Sequence, residues 1–264
     1  MTQPTIKTVR GPGGRWYVHP ASGVQAPSVT NILSVLNKPA LPRWAAKATA
    51  EFAVANRSSW VDLDDAAAVD LLKGSPWRDS RKAADAGTDA HSYAEDLLTG
   101  KRSVDDEFAP PGAGREISNV RDLVATVRPQ PLVVEATAWS HEHCYAGTLD
   151  AIVVIDGAVC LVDWKTSKDV YPENALQLAA YRYADVLVAP DGSEIAMPRI
   201  DRCLILHVPK DGDWSVVEVE ATEREHLAFT NLRVAFEWQA VVSKTVVGQK
   251  TRPAQTPDAF PAAG

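Results

Sequence analysis

Cysteine is scarce. Cys144, Cys160 and Cys203 are odd in number and far apart, which excludes a disulfide framework and a CxxC metal knuckle. No apolar run approaches the ~18–20 residues of a membrane-spanning helix. The opening residues, MTQPTIKTVRGPGG, lack the apolar stretch of a signal peptide. A cytoplasmic location with no membrane partner is therefore expected. No GxxxxGK[ST] loop is present, so no nucleotide cofactor is expected, and any ATP-driven step would belong to a partner. Positive charge is also short, with a net charge of −7. That argues against tight non-specific coating of a polyanion but is compatible with a local basic groove. The balance is uneven along the chain. Residues 1–130 carry 16 Lys and Arg against 15 Asp and Glu, a net +1, whereas residues 131–264 carry 11 against 19, a net −8. Phosphate-contacting side chains are thus expected in the N-terminal half.

What is present is a chain of 264 residues, 45% of them apolar, enough to bury a sizeable core. Its most informative stretch runs from Gly147 to Tyr181. Asp156-Gly157 separates two apolar, β-branched runs, a strong hairpin signal. If those two residues form the turn, position i on one arm faces position 313 − i on the other, and Asp150 falls opposite Asp163. Directly paired residues have Cβ atoms ~4.5–5.5 Å apart on one face. Lys165 shares the face of Asp163, because strand side chains alternate with a period of two.

Like charges placed opposite one another destabilise a sheet. A hard divalent cation, Mg²⁺ or Mn²⁺, would offset the repulsion and suits phosphate chemistry. Lys165 could then position an attacking water or stabilise charge on phosphate. The alternative is a structural Asp–Lys ion pair at a sheet end. After Pro172, ENALQLAAYRYADVLV reads as a helix. It sets Gln177 and Tyr181 four apart on one face, either facing something polar or divided between surface and core.

Gly147-x-x-Asp150, Asp163-Trp164-Lys165 and Gln177-x-x-x-Tyr181, preceded by Gly87-Thr88-x-x-His91-x-x-x-Glu95, occur in this order. Together they resemble the motifs of the PD-(D/E)XK nuclease superfamily, in its RecB-like exonuclease branch, over roughly residues 80–190. The resemblance implies an α/β, restriction-endonuclease-like core with a mixed central sheet flanked by helices. It also implies metal-dependent hydrolysis of DNA phosphodiesters at chain ends. Asp150, Asp163, Lys165, Gln177 and Tyr181 would be the catalytic residues. His91 and the Trp164 carbonyl would complete the metal ligands, Glu95 would orient the imidazole, and Glu135 sits where the family often has a glutamate. Many members of this branch, including those of CRISPR adaptation, hold an iron–sulfur cluster with four cysteines. Only Cys203 lies beyond the Gln177 helix here, so no such cluster is expected. Linear DNA with free ends is the expected partner, with a recombinase or single-strand-binding protein as a further candidate.

Three regions are expected: residues 1–130, a strand and helical region carrying His91; residues 131–247, the nuclease core; and a Pro/Ala-rich disordered tail over 248–264. LPRWAAKATAEFAVAN reads as a helix with Trp44, Ala48 and Phe52 on one face and Arg43 and Lys47 beside it. A short helix capped by Asp62 follows, then a longer one through Leu98, loosened near Gly87. Arg78, Arg81 and Lys82 precede the histidine and, with Arg43 and Lys47, are the candidate DNA contacts. Residues 101–115 read as a mobile loop. His141-Glu142-His143-Cys144 reads as a surface turn, since no further ligand lies at zinc-finger spacing. IDRCLILHV and WSVVEVE should form an outer hairpin of the sheet. Two other functions stay open: an internally cutting endonuclease, and a catalytically inactive DNA-binding recombination partner.

Overall fold

The computed structural model describes residues 6–106 and 114–248, without the side chains of residues 79–85. Residues 107–113 of the expected 101–115 loop and nearly all of the expected 248–264 tail thus lie outside the described residues. Three short antiparallel strands come first, β1 (Thr8–Gly11), β2 (Gly14–Val18) and β3 (Gln25–Pro27). Helix α1 (Val29–Leu33) follows, with the Ser28 hydroxyl accepting the Asn31 N–H at 3.1 Å. Helices α2 (Ala40–Ala55), α3 (Asp65–Lys73) and α4 (Ser75–Leu98) come next. The cap of α3 is Asp64 rather than Asp62, its carboxylate accepting the Ala67 N–H at 2.9 Å. Helix α4 runs unbroken through Gly87, so the expected loosening there is not observed. A Cβ at Gly87 would lie 3.0 Å from the Thr166 hydroxyl, so the glycine permits close approach to the chain just beyond Lys165.

Helix α5 (Arg115–Val127) leads into the long strands β4 (Gln130–Ser140) and β5 (Tyr145–Ile155), then β6 (Ala158–Lys165). Asp156 and Gly157 take φ 50° and 80°, the positive values that a type I′ hairpin turn requires. Pairing runs from Ile155↔Ala158 to Ala151↔Val162, the register expected from the turn. Helix α6 (Glu173–Arg182), strands β7 (Val186–Val188), β8 (Glu194–Ala196), β9 (Arg202–His207) and β10 (Ser215–Glu218), and helix α7 (Glu223–Ala240) complete the fold.

The seven-stranded mixed sheet has the order β10-β9-β6-β5-β4-β7-β8. Strand β9 pairs parallel with β6 and antiparallel with β10. The β9–β10 hairpin is therefore present, but β9 lies inside the sheet and Cys203–Leu206 are buried on both faces. A parallel neighbour requires a crossover, here the segment carrying α6.

Helices cover both faces. On one, Ala90 and Tyr93 of α4 and Val120 and Leu123 of α5 pack on Val153 and Val162. On the other, Ile32 of α1, Leu178 of α6 and Phe229 of α7 pack on Ile152 and Leu161. Each such large apolar side chain, fully buried, stabilises the fold by roughly 1.5–3 kcal/mol. The N-terminal region thus supplies α1 to one face of the core and α4 and α5 to the other. By contrast, α2 buries none of its residues: Phe52 lies under the Arg78 guanidinium at 4.5 Å, while Trp44 stays 40% exposed.

The pleat of the central strands is interrupted beside Asp150. Val134 and Ala136 are two apart yet belong to opposite cores, and so do Leu149 and Ala151. Alternation breaks on both strands at one level, that of Glu135 and Asp150, between the pairs Val134↔Ala151 and Ala136↔Leu149. Glu135 carries the break in its backbone, with φ 51°. That left-handed conformation costs about 1–3 kcal/mol for a non-glycine residue.

Candidate active site

Beyond the pair Ala151↔Val162, β5 and β6 no longer share ladder bonds, and polar side chains take over. Asp150 accepts the Trp164 N–H at 2.7 Å through Oδ2. The same oxygen lies 3.4 Å from Nδ1 of His91, which α4 brings in from one face. From the opposite face α6 brings Gln177, whose amide donates to Asp163 Oδ1 at 2.9 Å and approaches the Tyr181 hydroxyl at 3.4 Å. The Lys165 ammonium pairs with Asp163 Oδ2. That buried carboxylate is stabilised by Lys165 first and by the charge of His91 as well.

Gly147 sets the place of Tyr181. A Cβ there would lie 2.7 Å from the tyrosine ring and 3.1 Å from Val29. The first residue of Gly147-x-x-Asp150 is thus explained by packing: it makes room for the ring beside the hydroxyl's neighbour, Gln177.

The electrostatics are those of two carboxylates forced together. Burial works against the Asp150 charge, but His91, Lys165 and the Trp164 N–H outweigh it and hold the carboxyl below its usual range. Asp163 goes the other way. Burial, with the push of Asp150 and against the pull of Lys165, raises it to about 6. Burial opposes the His91 charge too, yet Asp150 and Asp163 hold the imidazole up to about 9. Lys165 is likewise raised, its burial offset by the same two carboxylates. At neutral pH one imidazolium and one ammonium thus balance the acidic pair.

Glu135 lies level with Asp150, and its carboxyl is pushed up to about 7 by burial first, then by Asp150 and Glu95. A raised folded-state value contributes stability below the unfolded value, near 4.5, and that stability is lost as pH rises through about 7. Glu135→Gln is therefore expected to stabilise the cation-free protein by about 1 kcal/mol at pH 8 after discounting for solvent screening. No difference is expected near pH 4. Thermal melts in EDTA at the two pH values check this, and equal melting temperatures at pH 8 would remove Glu135 from the cluster's electrostatics.

Other sequence candidates have different surroundings. Glu95 pairs with Lys101 at 3.1 Å rather than with His91, so orienting the imidazole falls to Asp150. Arg78 donates to the Leu71 carbonyl at 3.2 Å and stacks on Phe52. It packs α4 against α2 and α3 instead of standing free for phosphate. Arg43 is exposed, and Lys47 is exposed beside Glu51 at 3.6 Å. The side chains of Arg81 and Lys82 lie outside the described residues. Trp44 of α2 also meets Trp77 of α4 edge to face at 5.9 Å, a contact not anticipated from the sequence, the two rings being 40% and 46% exposed. Their positions on separate helices hid the pairing.

A cleft of about 890 Å³ opens onto Lys165 and Gln177, walled by Lys38, Leu41, Tyr171 and Asn174 among others. It runs from the start of α2 to Lys165 and Gln177, the two side chains that contact Asp163. No protein-family model matches the chain, and no curated protein matches it in sequence. Function is therefore read from the geometry of this cluster.

Proposed function

We propose that the protein is a metal-dependent deoxyribonuclease that hydrolyses phosphodiester bonds from the ends of linear DNA. The observation that carries this reading is the meeting of Asp150 and Asp163 at one sheet end, with Lys165 on Asp163 and His91 on Asp150. Buried carboxylates of like sign need cationic partners, and oxygen-rich donor sets with an imidazole suit Mg²⁺ or Mn²⁺. Asp150, Asp163 and His91 would hold the ion, with the Trp164 carbonyl. The Trp164 N–H points towards β5, and the N–H and C=O of one strand residue face the same edge. When bound, the ion would supply Lewis-acid stabilisation of charge on the attacked phosphoryl group.

The chain's own groups do the rest. Lys165 positions the attacking water or stabilises the developing phosphoryl charge. Gln177 fixes Asp163 through its amide and is itself steadied by Tyr181. His91 carries a proton beside Asp150, and a cation taking that place must displace it. The cleft beside Lys165 supports access by an extended strand, and the exposed rings of Trp44 and Trp77 offer faces for bases to stack on. Trp44→Ala is accordingly expected to weaken single-stranded DNA binding by about tenfold, within the range for one lost base-stacking ring. Fluorescence anisotropy of a labelled oligonucleotide checks it, and unchanged affinity would take the tryptophans out of the interface.

The activity is tested with end-labelled linear DNA and covalently closed circular DNA, in Mg²⁺, Mn²⁺ or EDTA, with products sized over time. Progressive shortening of the linear substrate in either metal, intact circles and silence in EDTA are expected. Cleavage of the circle at a comparable rate would make the enzyme an endonuclease. No cleavage of either substrate in either metal would count against nuclease activity.

A further inference from the structure

Apart from the acidic pair, a second group of ligating side chains comes together. His19 follows β2, His141 follows β4, and Glu194 begins β8. Glu194 receives both imidazoles, His19 Nε2 at 2.8 Å on one oxygen and His141 Nε2 at 3.2 Å on the other. One ligand atom from each residue can be chosen so that all three lie within 4.8 Å of one another. The geometry points to a zinc-class divalent cation held by His19, His141 and Glu194, bracing the N-terminal sheet against the edge of the central sheet.

The backbone of each ligand is fixed independently of any ion. His19 is 3% exposed and its ring meets Trp139 edge-on at 4.9 Å. The His141 N–H donates to Asp185 at 2.6 Å, and that same carboxylate oxygen accepts Ser140 Oγ and the Glu142 N–H. Glu194 follows a turn closed by Ala189 N–H to Ser193 O at 2.9 Å. Gly192 in that turn has φ 85°, and a Cβ there would lie 2.9 Å from the Cβ of Ala21. A side chain at 192 would hold the β7–β8 turn off the β2–β3 turn and so separate Glu194 from His19.

The chemistry of the set selects the ion. Two imidazoles and one carboxylate form a donor set that zinc uses, with remaining positions left to water, whereas Mg²⁺ and Ca²⁺ favour oxygen. Tetrahedral bonds of about 2.0–2.2 Å place ligand atoms ~3.3–3.5 Å apart. The buried His19 can therefore stay in place while His141 and Glu194, with side chains 51% and 33% exposed, make the adjustment. One contact must open. The Ser22 N–H lies 3.4 Å from His19 Nδ1, and a neutral ring ligating through Nε2 carries its proton on Nδ1. The competing reading is a carboxylate that only clamps two imidazoles by hydrogen bonds.

The test uses the full chain, stripped with chelator and titrated with Zn²⁺ in competition with a chromogenic indicator. Wild type, His141→Ala, Glu194→Gln and Asp163→Asn are compared, with Co²⁺ absorption reporting coordination. Wild type and Asp163→Asn should share a tight stoichiometric site. His141→Ala and Glu194→Gln, altered at accessible side chains, should bind at least ~10-fold more weakly, since even partners outside the ligand set commonly cost 10–100-fold. Zn²⁺ should raise the melting temperature of wild type and Asp163→Asn, but not of the other two. No tight zinc site in wild type, or equal affinity in all four proteins, overturns the proposal in favour of the clamp. Either result leaves the nuclease reading standing, and loss of the site in Asp163→Asn alone would assign the zinc to the acidic pair instead.

Discussion

Lys165→Ala and Asp163→Asn are each expected to lower DNA cleavage by about 10²–10³-fold or more, while leaving DNA affinity within about twofold. The size follows from the position of the charges. Lys165 sits on the buried carboxylate through which the site would bind its ion, and loss of one preorganised stabilising group costs about 10²–10³ in rate. The unchanged affinity follows because binding is spread over many phosphate contacts, which neither side chain dominates. Initial rates on end-labelled DNA and anisotropy in Ca²⁺ separate the two quantities. Parental cleavage rates in both variants would show that these residues are not the machinery.

Gly147→Ala should destabilise the fold and the site together through a single methyl group. The added carbon would sit 2.7 Å from a carbon of the Tyr181 ring, and that ring is 3% exposed with little room to retreat. Overpacking of this kind costs about 1–3 kcal/mol, a fall of roughly 2–12 °C in Tm for a domain of this size. Cleavage should fall as well, because moving the ring disturbs the Tyr181 hydroxyl beside Gln177 and, through Gln177, Asp163. Thermal melts and cleavage rates check the pair. A variant as stable and active as the parent would mean that Tyr181 and α6 shift freely, and that the glycine has no packing role.

The parts legible beforehand were those governed by local rules. Asp156-Gly157 specified its own turn, the turn specified the register, and the register brought Asp150 and Asp163 to one end. The helix of Gln177 and Tyr181 was legible after Pro172, but it ends at Arg182, and Val186–Val188, expected to continue it, form β7 because they pair with β4. Other features depend on distant contacts. Glu135 adopts a conformation that its residue type disfavours, so nothing in its neighbours announces the break in alternation beside Asp150. Strand β9 reads as a hairpin arm because it is one, yet its parallel pairing with β6 is set by the crossover. Arg78 and Glu95 looked available because their partners, Phe52 and Lys101, are packing and loop neighbours that periodicity does not reveal. His141 looked like turn surface because its companions, His19 and Glu194, lie 122 and 53 residues away along the chain.

The central claim is that the acidic pair is a cation site, and titration of the zinc-free protein with Mn²⁺, followed by electron paramagnetic resonance, tests it most directly. Wild type should remove free Mn²⁺ from solution with saturable stoichiometry, and Asp163→Asn and Asp150→Asn should each lose that binding. Equal uptake of Mn²⁺ by all three proteins, or none by wild type, would contradict it.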